Sequence, residues 1–392
     1  MKKIYILFAA LTLALPLMAQ DEISRALAAV EANNTTLKAL REGVEAQKLE
    51  NRTGIYLENP EVGFNYLWGA PNVIGNRTDV SVVQKLDFPT LSGLKSRVAD
   101  GQNELAELRY LADRMAILLE AKQYCIDLIY SNKMYNEMQL RCANARTIAA
   151  SYAKMLESGE VSRIEYNKAQ LNLSTAEGEL QRAGIERDAV RAELRRLNGG
   201  QDIRLEGDSY GDDTLPQAFE DWYAIAETRN PLLAYVRQEI EVSRQRISLN
   251  KAQGLPVLSG GYMSEKVVGE HFRGITLGVS IPLWANRNNV RRAQAAARAA
   301  EMRHEDAKQQ FYNRLQILYA RAAGLETTSA KYRVALAELD NTAMLKQALD
   351  AGEMSLLEYL LETAMRYDAI DKALAAERDY RRAVAELEMY SD

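Results

Sequence analysis

The 392-residue sequence contains little cysteine and little histidine, two of each. If Cys125 and Cys142 lie on one helix, they are separated by about 25 Å, beyond the reach of a disulfide, and we predict two free packing thiols. Neither His271 nor His304 belongs to an H-E-x-x-H pattern or a cysteine cluster, which argues against a metal site. The sequence also lacks a Walker-type loop and a nucleophile elbow. We therefore expect no cofactor and no enzyme activity.

Long apolar runs and dense basic blocks are also lacking. The apolar run from Ile4 to Leu17 follows two lysines and precedes a small-residue site, which predicts a signal peptide over 1–19 and an exported protein. No later segment offers about 18 consecutive apolar residues, which argues against a helical membrane protein. Acidic and basic residues are mixed, with a formal net charge of −5, and this balance predicts no nucleic-acid partner.

Proline is absent from two long stretches of the chain. None lies between Pro89 and Pro216 or after Pro282. Both stretches are rich in Ala, Leu, Glu, Arg and Lys, which favour long helices. In the first stretch, apolar residues recur with the three-and-four spacing that coiled-coil-like packing requires. These features predict two long helical hairpins, at about 93–198 and 286–390.

An internal duplication organises the sequence. The segment GEVSRIEY at 159–166 recurs as GEMSLLEY at 352–359, and Pro89 and Pro282 are separated by the same number of residues. Two copies of one structural unit account for this spacing better than two unrelated domains. The predicted organisation is a first repeat at 20–200, a connector at 201–225 and a second repeat at 226–392.

The duplicated segments are predicted to be tight turns between helices. Gly159 and Gly352 suit the position after a helix end, where a positive φ favours glycine. Residues 162–165 and 355–358 both read S-x-x-E, the capping box that begins a new helix. The helical arms before these turns are expected to occupy about 93–158 and 286–351, each roughly 100 Å long.

Alternating apolar residues predict the strands. Apolar and polar residues alternate along 61–68, 80–88 and 272–283, with one apolar face. The two β-hairpins, about 60–89 and 255–283, would have strands of about ten residues, the length that crosses an outer membrane at a tilt. Because a membrane offers no hydrogen-bond partners to open strand edges, neighbouring copies of the chain would have to complete the sheet.

The layout resembles the TolC-like outer-membrane efflux protein family over essentially the whole mature chain. The resemblance rests on the turns at 159–166 and 352–359, the duplicated hairpins and the strand exit VSIPL at 279–283. It implies a mainly α fold with a small β part. In this fold, duplicated helical hairpins form a trimeric α-barrel continuous with a 12-stranded transmembrane β-barrel, four strands per chain. It also implies a homotrimer in contact with outer-membrane lipid and extending into the periplasm.

The resemblance implies docking of the helical tips to a periplasmic adaptor protein, which links the channel to an inner-membrane pump. As an alternative to docking, the glycines and serines of these tips could serve only to build the turns and cap the helices. Beyond the second turn, Glu358 and Glu362 are candidates for a lumen gate, although Leu361 replaces the second familiar acid and Glu358 also completes a capping box. The residues matching the docking motif are Gly159, Glu160, Val161, Ser162, Gly352, Glu353, Met354 and Ser355.

The predicted function is that of a passive exit channel, spanning the outer membrane and the periplasm, in a tripartite efflux pump. Two alternatives stay open: the same type of channel in type I protein secretion, and a periplasmic coiled-coil scaffold without a pore. Two paired alternating strands in each repeat favour the channel. Metal cations, drugs, bile-type amphiphiles and peptides are all compatible with a passive duct.

Overall fold

The structure is a computed structural model that describes residues 22–70, 73–87, 89–207, 210–211, 214–284 and 286–390. The predicted signal peptide over 1–19 lies outside the described residues. Among the described helices, none combines the length and the apolar character needed to cross a membrane. The helices are α1 (Glu22–Asn33), α2 (Thr35–Asn51), α3 (Pro89–Glu157), α4 (Arg163–Leu197), α5 (Phe219–Arg229), α6 (Pro231–Ala252), α7 (Asn289–Glu338), α8 (Thr342–Asp350) and α9 (Leu356–Glu388).

Four strands form one antiparallel sheet in the order β1-β2-β3-β4. They pair as two hairpins, β1 with β2 and β3 with β4, and β2 pairs with β3 across the two repeats. A mainly helical chain with a small β part is therefore confirmed. The strands are β1 (Glu61–Leu67), β2 (Arg77–Leu86), β3 (Val257–Val267) and β4 (Glu270–Ser280).

Each repeat begins with two short helices separated by an asparagine. Asn230 caps α6, because its Oδ1 accepts hydrogen bonds from the backbone N–H groups of Leu232 and Leu233. Asn34 stands at the matching place between α1 and α2, where its Nδ2 donates to the carbonyl of Leu197 at 2.8 Å. α5 begins within the predicted connector at 201–225.

The two long arms differ from each other. The first is α3, an uninterrupted helix of 69 residues, as predicted. The second was predicted as one arm over 286–351, but it divides into α7 and α8. At the break, the Asp340 Oδ1 accepts from the backbone N–H and the hydroxyl of Thr342, at 3.1 and 2.8 Å. A short acidic side chain that bonds nearby backbone competes with the helical hydrogen bonds, which accounts for the interruption.

Two compact units make up the chain, and neither is a repeat. The first unit comprises 22–35, 118–215 and 321–385, and the second comprises 36–117, 216–320 and 386–390. Each contains segments of both sequence repeats. The first unit has a core around Ile126, Ile129 and Leu194. The second contains an aromatic cluster in α5, α7 and the chain end: Phe219, Trp222, Tyr223, Phe311, Tyr312, Tyr319 and Tyr390.

Both cysteines are buried and free. Cys125 belongs to the main core of the first unit, and Cys142 packs with Ala145 and Ala176. The prediction of two free packing thiols is confirmed.

Candidate functional site

One face of the sheet, in the second unit, is apolar and exposed. The strand register places Val62, Val82, Tyr262 and Ile275 in one row across all four strands. Because side chains two apart on a strand point to the same side, the neighbouring rows share this face. Ile275 and Leu277 keep 82% and 83% of their surface exposed, which means that no described residue of the chain covers them. The other apolar residues of this face are Phe64, Val80, Leu86, Leu258 and Val279.

The opposite face of the sheet, here called the polar face, carries both signs of charge, and its exposed apolar residues Leu67 and Phe272 lie at the end near the hairpin turns. The Arg77 Nε lies 2.8 Å from the Asp79 Oδ1 and 3.1 Å from the Glu265 Oε1. Toward the other end of β2, the Lys85 Nζ lies 2.9 Å from the Glu61 Oε1. The sheet therefore separates an apolar side from a polar side with a period of two, as the sequence predicted.

The first helical turn, in the first unit, has the predicted capping box. Gly159 follows α3 with a φ of 81°. The Ser162 Oγ accepts from the backbone N–H of Glu165 at 3.2 Å, and the Glu165 carboxylate accepts from the backbone N–H of Ser162 at 2.8 Å. These hydrogen bonds from the Ser162 backbone and hydroxyl lower the pKa of Glu165.

The second turn repeats this geometry closely. Gly352 has a φ of 72°, the Ser355 Oγ accepts from the backbone N–H of Glu358 at 3.3 Å, and the backbone N–H of Ser355 donates to Glu358 at 2.9 Å. The pKa of Glu358 is lowered by the backbone and then the hydroxyl of Ser355. The capping role of Glu358 is thus observed, whereas a gating role for Glu358 and the exposed Glu362 stays a prediction.

A single apolar cluster supports both turns. Its buried members include Tyr152, Leu345 and Tyr359. Val161 of the first turn and Met354 of the second turn both pack, half buried, against this cluster. The other six predicted docking residues are exposed: Gly159, Glu160, Ser162, Gly352, Glu353 and Ser355.

Sequence reasoning missed a buried arginine that joins α3 to α9 in the first unit. Arg141 is 7% exposed. Its Nη2 lies 2.7 Å from the Asp371 Oδ1, its Nη1 lies 3.1 Å from the Asp371 Oδ2, and its Nε donates to Glu137 at 2.9 Å. Its guanidinium also lies over the Tyr367 ring, 4.3 Å from the centroid. Burial lowers the pKa of Arg141, but the hydrogen bonds to the two carboxylates outweigh that effect and raise it.

No local signal could have revealed this arginine, because Asp371 lies 230 positions away along the chain. In the described part of the chain, no group of three His, Cys, Asp or Glu side chains is placed to hold a metal ion.

The architecture is that of solved outer-membrane channels. The Campylobacter jejuni CmeC outer membrane channel matches with a TM-score of 0.75 at 16% identity, over 95% of this chain and 86% of that chain. The open state of the Neisseria gonorrhoeae MtrE outer membrane channel matches with a TM-score of 0.78 at 13% identity, over 94% and 88%. The chain thus has the fold of TolC-like channels, and the resemblance seen in the sequence is confirmed at the level of fold.

By sequence, the chain is similar to the alkaline protease secretion protein AprF of Pseudomonas aeruginosa. The two are 22% identical over 330 residues, which cover 78% of this chain and 67% of AprF. No protein-family model matches the sequence. The two solved structures are described as outer membrane channels, and AprF is described as a protein of alkaline protease secretion.

Proposed function

We propose that this protein is a passive exit channel that crosses the outer membrane with its sheet and the periplasm with its helices. The two-faced sheet carries this proposal. Its apolar face suits contact with lipid, and its polar face suits a water-filled lumen. Both signs of charge occur on the polar face, with Arg77 beside Asp79 and Glu265 and with Lys85 beside Glu61, which suits a duct that accepts varied solutes.

Closure of the sheet requires further copies of the chain. β1 and β4 are the edge strands, and each pairs on one side only among the described strands. Open edges are not tolerated in lipid, because their backbone groups would lack hydrogen-bond partners. Three copies in a ring, with β4 of one copy beside β1 of the next, would supply twelve strands and leave no edge.

Conductance in planar bilayers tests the channel directly. Detergent-extracted full-length protein should form large, long-lived pores, and chemical cross-linking of the same preparation should stop at trimers. A protein that binds no membrane and conducts no ions would instead be a periplasmic scaffold.

We further propose that the two helical turns dock an adaptor protein, which links the channel to an inner-membrane pump. The support is that Glu160 and Glu353 are exposed, while their neighbours Val161 and Met354 pack against one shared cluster. Val161 and Met354 are unsuitable for mutation, because their removal would disturb that cluster.

The sharper test is the pair Glu160→Lys and Glu353→Lys, with binding to wild-type adaptor measured on intact trimers. Binding should fall about tenfold or more if both carboxylates lie in the interface. Glu42→Lys with Glu186→Lys changes the charge equally at exposed sites elsewhere and should leave binding unchanged. Equal adaptor binding by both double variants would show that the turns do not belong to the interface.

Type I protein secretion is a second candidate, and the similarity to AprF favours it. Expression in a strain that lacks its own secretion channel separates the two functions. Restored protease in the medium supports secretion, whereas restored resistance to small toxic compounds supports efflux.

A further inference from the structure

A group of basic side chains stands at one end of the apolar face of the sheet. The register pairs Lys266 with His271 and Ser264 with Arg273 across the β3–β4 hairpin. These residues keep the same alternation as Tyr262 and Ile275, so they lie on the apolar face. They lie next to the hairpin turn at Val268 and Gly269, at the end of the strands opposite to the junctions with α6 and α7.

The basic group is organised by hydrogen bonds. The Ser264 Oγ and the His271 Nε2 are 2.8 Å apart. The Arg273 guanidinium lies beside the same ring, with its Nε 3.3 Å from the His271 Nε2 and its Nη2 3.2 Å from the Nδ1. A guanidinium has five N–H donors and no acceptor, and a neutral imidazole has one acceptor nitrogen, so at most one of these two contacts is a hydrogen bond from Arg273. Arg273 is exposed, and its contacts with His271 leave most of its five donors available.

No carboxylate neutralises this group among the described residues. Glu265 and Glu270 are adjacent in sequence to Lys266 and His271, but the alternation along each strand directs them to the polar face. Glu265 is engaged there by Arg77 at 3.1 Å. Lys266, His271 and Arg273 are all exposed, which leaves a net positive patch at one end of a mainly apolar face.

Aromatic residues mark the same level of the sheet. Tyr66 lies in the row that contains Lys266 and His271, through the pairings with Thr78. Trp68, two residues further along, is 82% exposed and makes an edge contact with Tyr66, with ring centroids 5.5 Å apart. Tyrosine and tryptophan favour the headgroup level of a membrane, where a ring is partly in lipid and partly in water. The basic patch thus lies at the level of these aromatic residues, at the end of the apolar face.

We propose that Lys266, His271 and Arg273 bind the phosphate groups of anionic lipids in the leaflet that surrounds the hairpin turns. This inference rests on the proposed function, because it requires the apolar face to contact lipid. A guanidinium binds phosphate oxygens through two parallel hydrogen bonds, and an ammonium adds a point charge. The phosphate of the bound lipid would accept hydrogen bonds from the donors that have no partner in the protein. The lipid would also hold the β3–β4 hairpin at a defined depth in the membrane.

Native mass spectrometry of the assembled, detergent-purified full-length protein tests the site. The probes are phosphatidylglycerol, phosphatidylcholine of the same acyl chains, and inorganic phosphate. Wild type should retain phosphatidylglycerol in preference to phosphatidylcholine. Lys266→Gln with Arg273→Gln should reduce that preference by about tenfold or more. Lys266→Arg with Arg273→Lys keeps both charges and should keep most of the preference.

Lys85→Gln with Arg298→Gln is the matched control, because it removes two positive charges outside the patch and should leave the preference intact. An unchanged preference in the Lys266→Gln, Arg273→Gln variant would overturn the site. Displacement of the lipid by inorganic phosphate at equal concentration would mean that the patch binds free phosphate instead.

Bilayer conductance of the same preparations separates this inference from the proposed function. If wild type and the double variant both form pores and retain the same lipids, the lipid site alone is wrong. If wild type forms no pore and enters no membrane, both proposals are overturned.

Discussion

At the scale of single residues, Gly159 and Gly352 allow the backbone conformation that ends each helix before a turn. Both adopt a positive φ at the end of a helix, and a Cβ added to either would meet nothing within 4 Å. The requirement for glycine is therefore conformational and does not come from a close approach of another atom. A helical glycine in open space, such as Gly178 in α4, has the opposite preference, because alanine favours the helix.

Alanine substitutions at these glycines should therefore have opposite signs. Gly159→Ala and Gly352→Ala should each destabilise the protein by about 1–2 kcal/mol, the cost of a left-handed backbone with a side chain. Gly178→Ala should stabilise it by about 0.5–1 kcal/mol. Thermal unfolding of the detergent-purified protein measures both. A lower melting temperature for Gly178→Ala, or no change for the two turn variants, would contradict this account.

At the scale of elements, the two turns are alike while the arms before them are not. Both α4 and α9 begin with a serine bonded to a glutamate three residues later. In the second arm, Asp340 bonds Thr342 and pairs with Arg366 at 3.1 Å, and the helix is interrupted there. The turns thus repeat because their motif is local, whereas the second arm is interrupted at Asp340 and the first arm is continuous.

The caps should make the turns sensitive to acid. The pKa values of Glu165 and Glu358 are lowered in the folded protein. Their contribution to stability is therefore complete above about pH 4.3, the ordinary glutamate value, and is lost as the pH falls through the lowered pKa values. Hydrogen exchange of the turn peptides, corrected for intrinsic rates, should show weaker protection at pH 3 than at pH 6.

Glutamine at both positions tests the cause of this acid sensitivity. Glu165→Gln with Glu358→Gln can keep a cap but does not titrate, so protection of the turns should no longer depend on pH in this range. Glu42→Gln with Glu186→Gln should behave like wild type. Acid sensitivity that survives in the first double variant would place its origin outside the caps.

At the scale of the whole molecule, the compact units cross the boundaries of the repeats. The sheet combines one hairpin from each repeat through the β2–β3 pairing, and the first unit combines the two turns over one cluster. An isolated two-stranded hairpin is marginal in stability. The β2–β3 pairing joins the two hairpins and gives one edge of each a hydrogen-bonded neighbour. The duplication thus provides two copies of one unit, and the fold joins them.

Neighbouring residues of β1 test which face of the assembled sheet contacts lipid. Phe64, 66% exposed on the apolar face, and Asn65, exposed on the polar face, are adjacent in sequence. Phe64→Lys should destabilise the inserted trimer by up to about 2–4 kcal/mol, because a charge would face hydrocarbon. Asn65→Lys should leave assembly intact and alter conductance. Heat-stable trimers on gels and bilayer recordings measure the two effects, and equal trimer stability would contradict the assignment of faces.

The sequence by itself determined the strands, the long helices and the two turns. The alternation at 61–68, the absence of proline after Pro89 and Pro282, and the S-x-x-E boxes all act over a few residues, which is why they can be read locally. The sequence did not predict that α5 begins inside the connector or that the second arm is interrupted at Asp340.

Tertiary structure alone decided which of these parts meet. It brought Val161 and Met354 onto one cluster, paired Arg141 with Asp371, and aligned Lys266, His271 and Tyr66 in one row of the sheet. The members of the distant pairs, Val161 and Met354, Arg141 and Asp371, and Tyr66 and Lys266, are about 200 positions apart, so no short-range pattern encodes their contacts. They arise because apolar and charged groups from both repeats find their partners only when the whole chain packs.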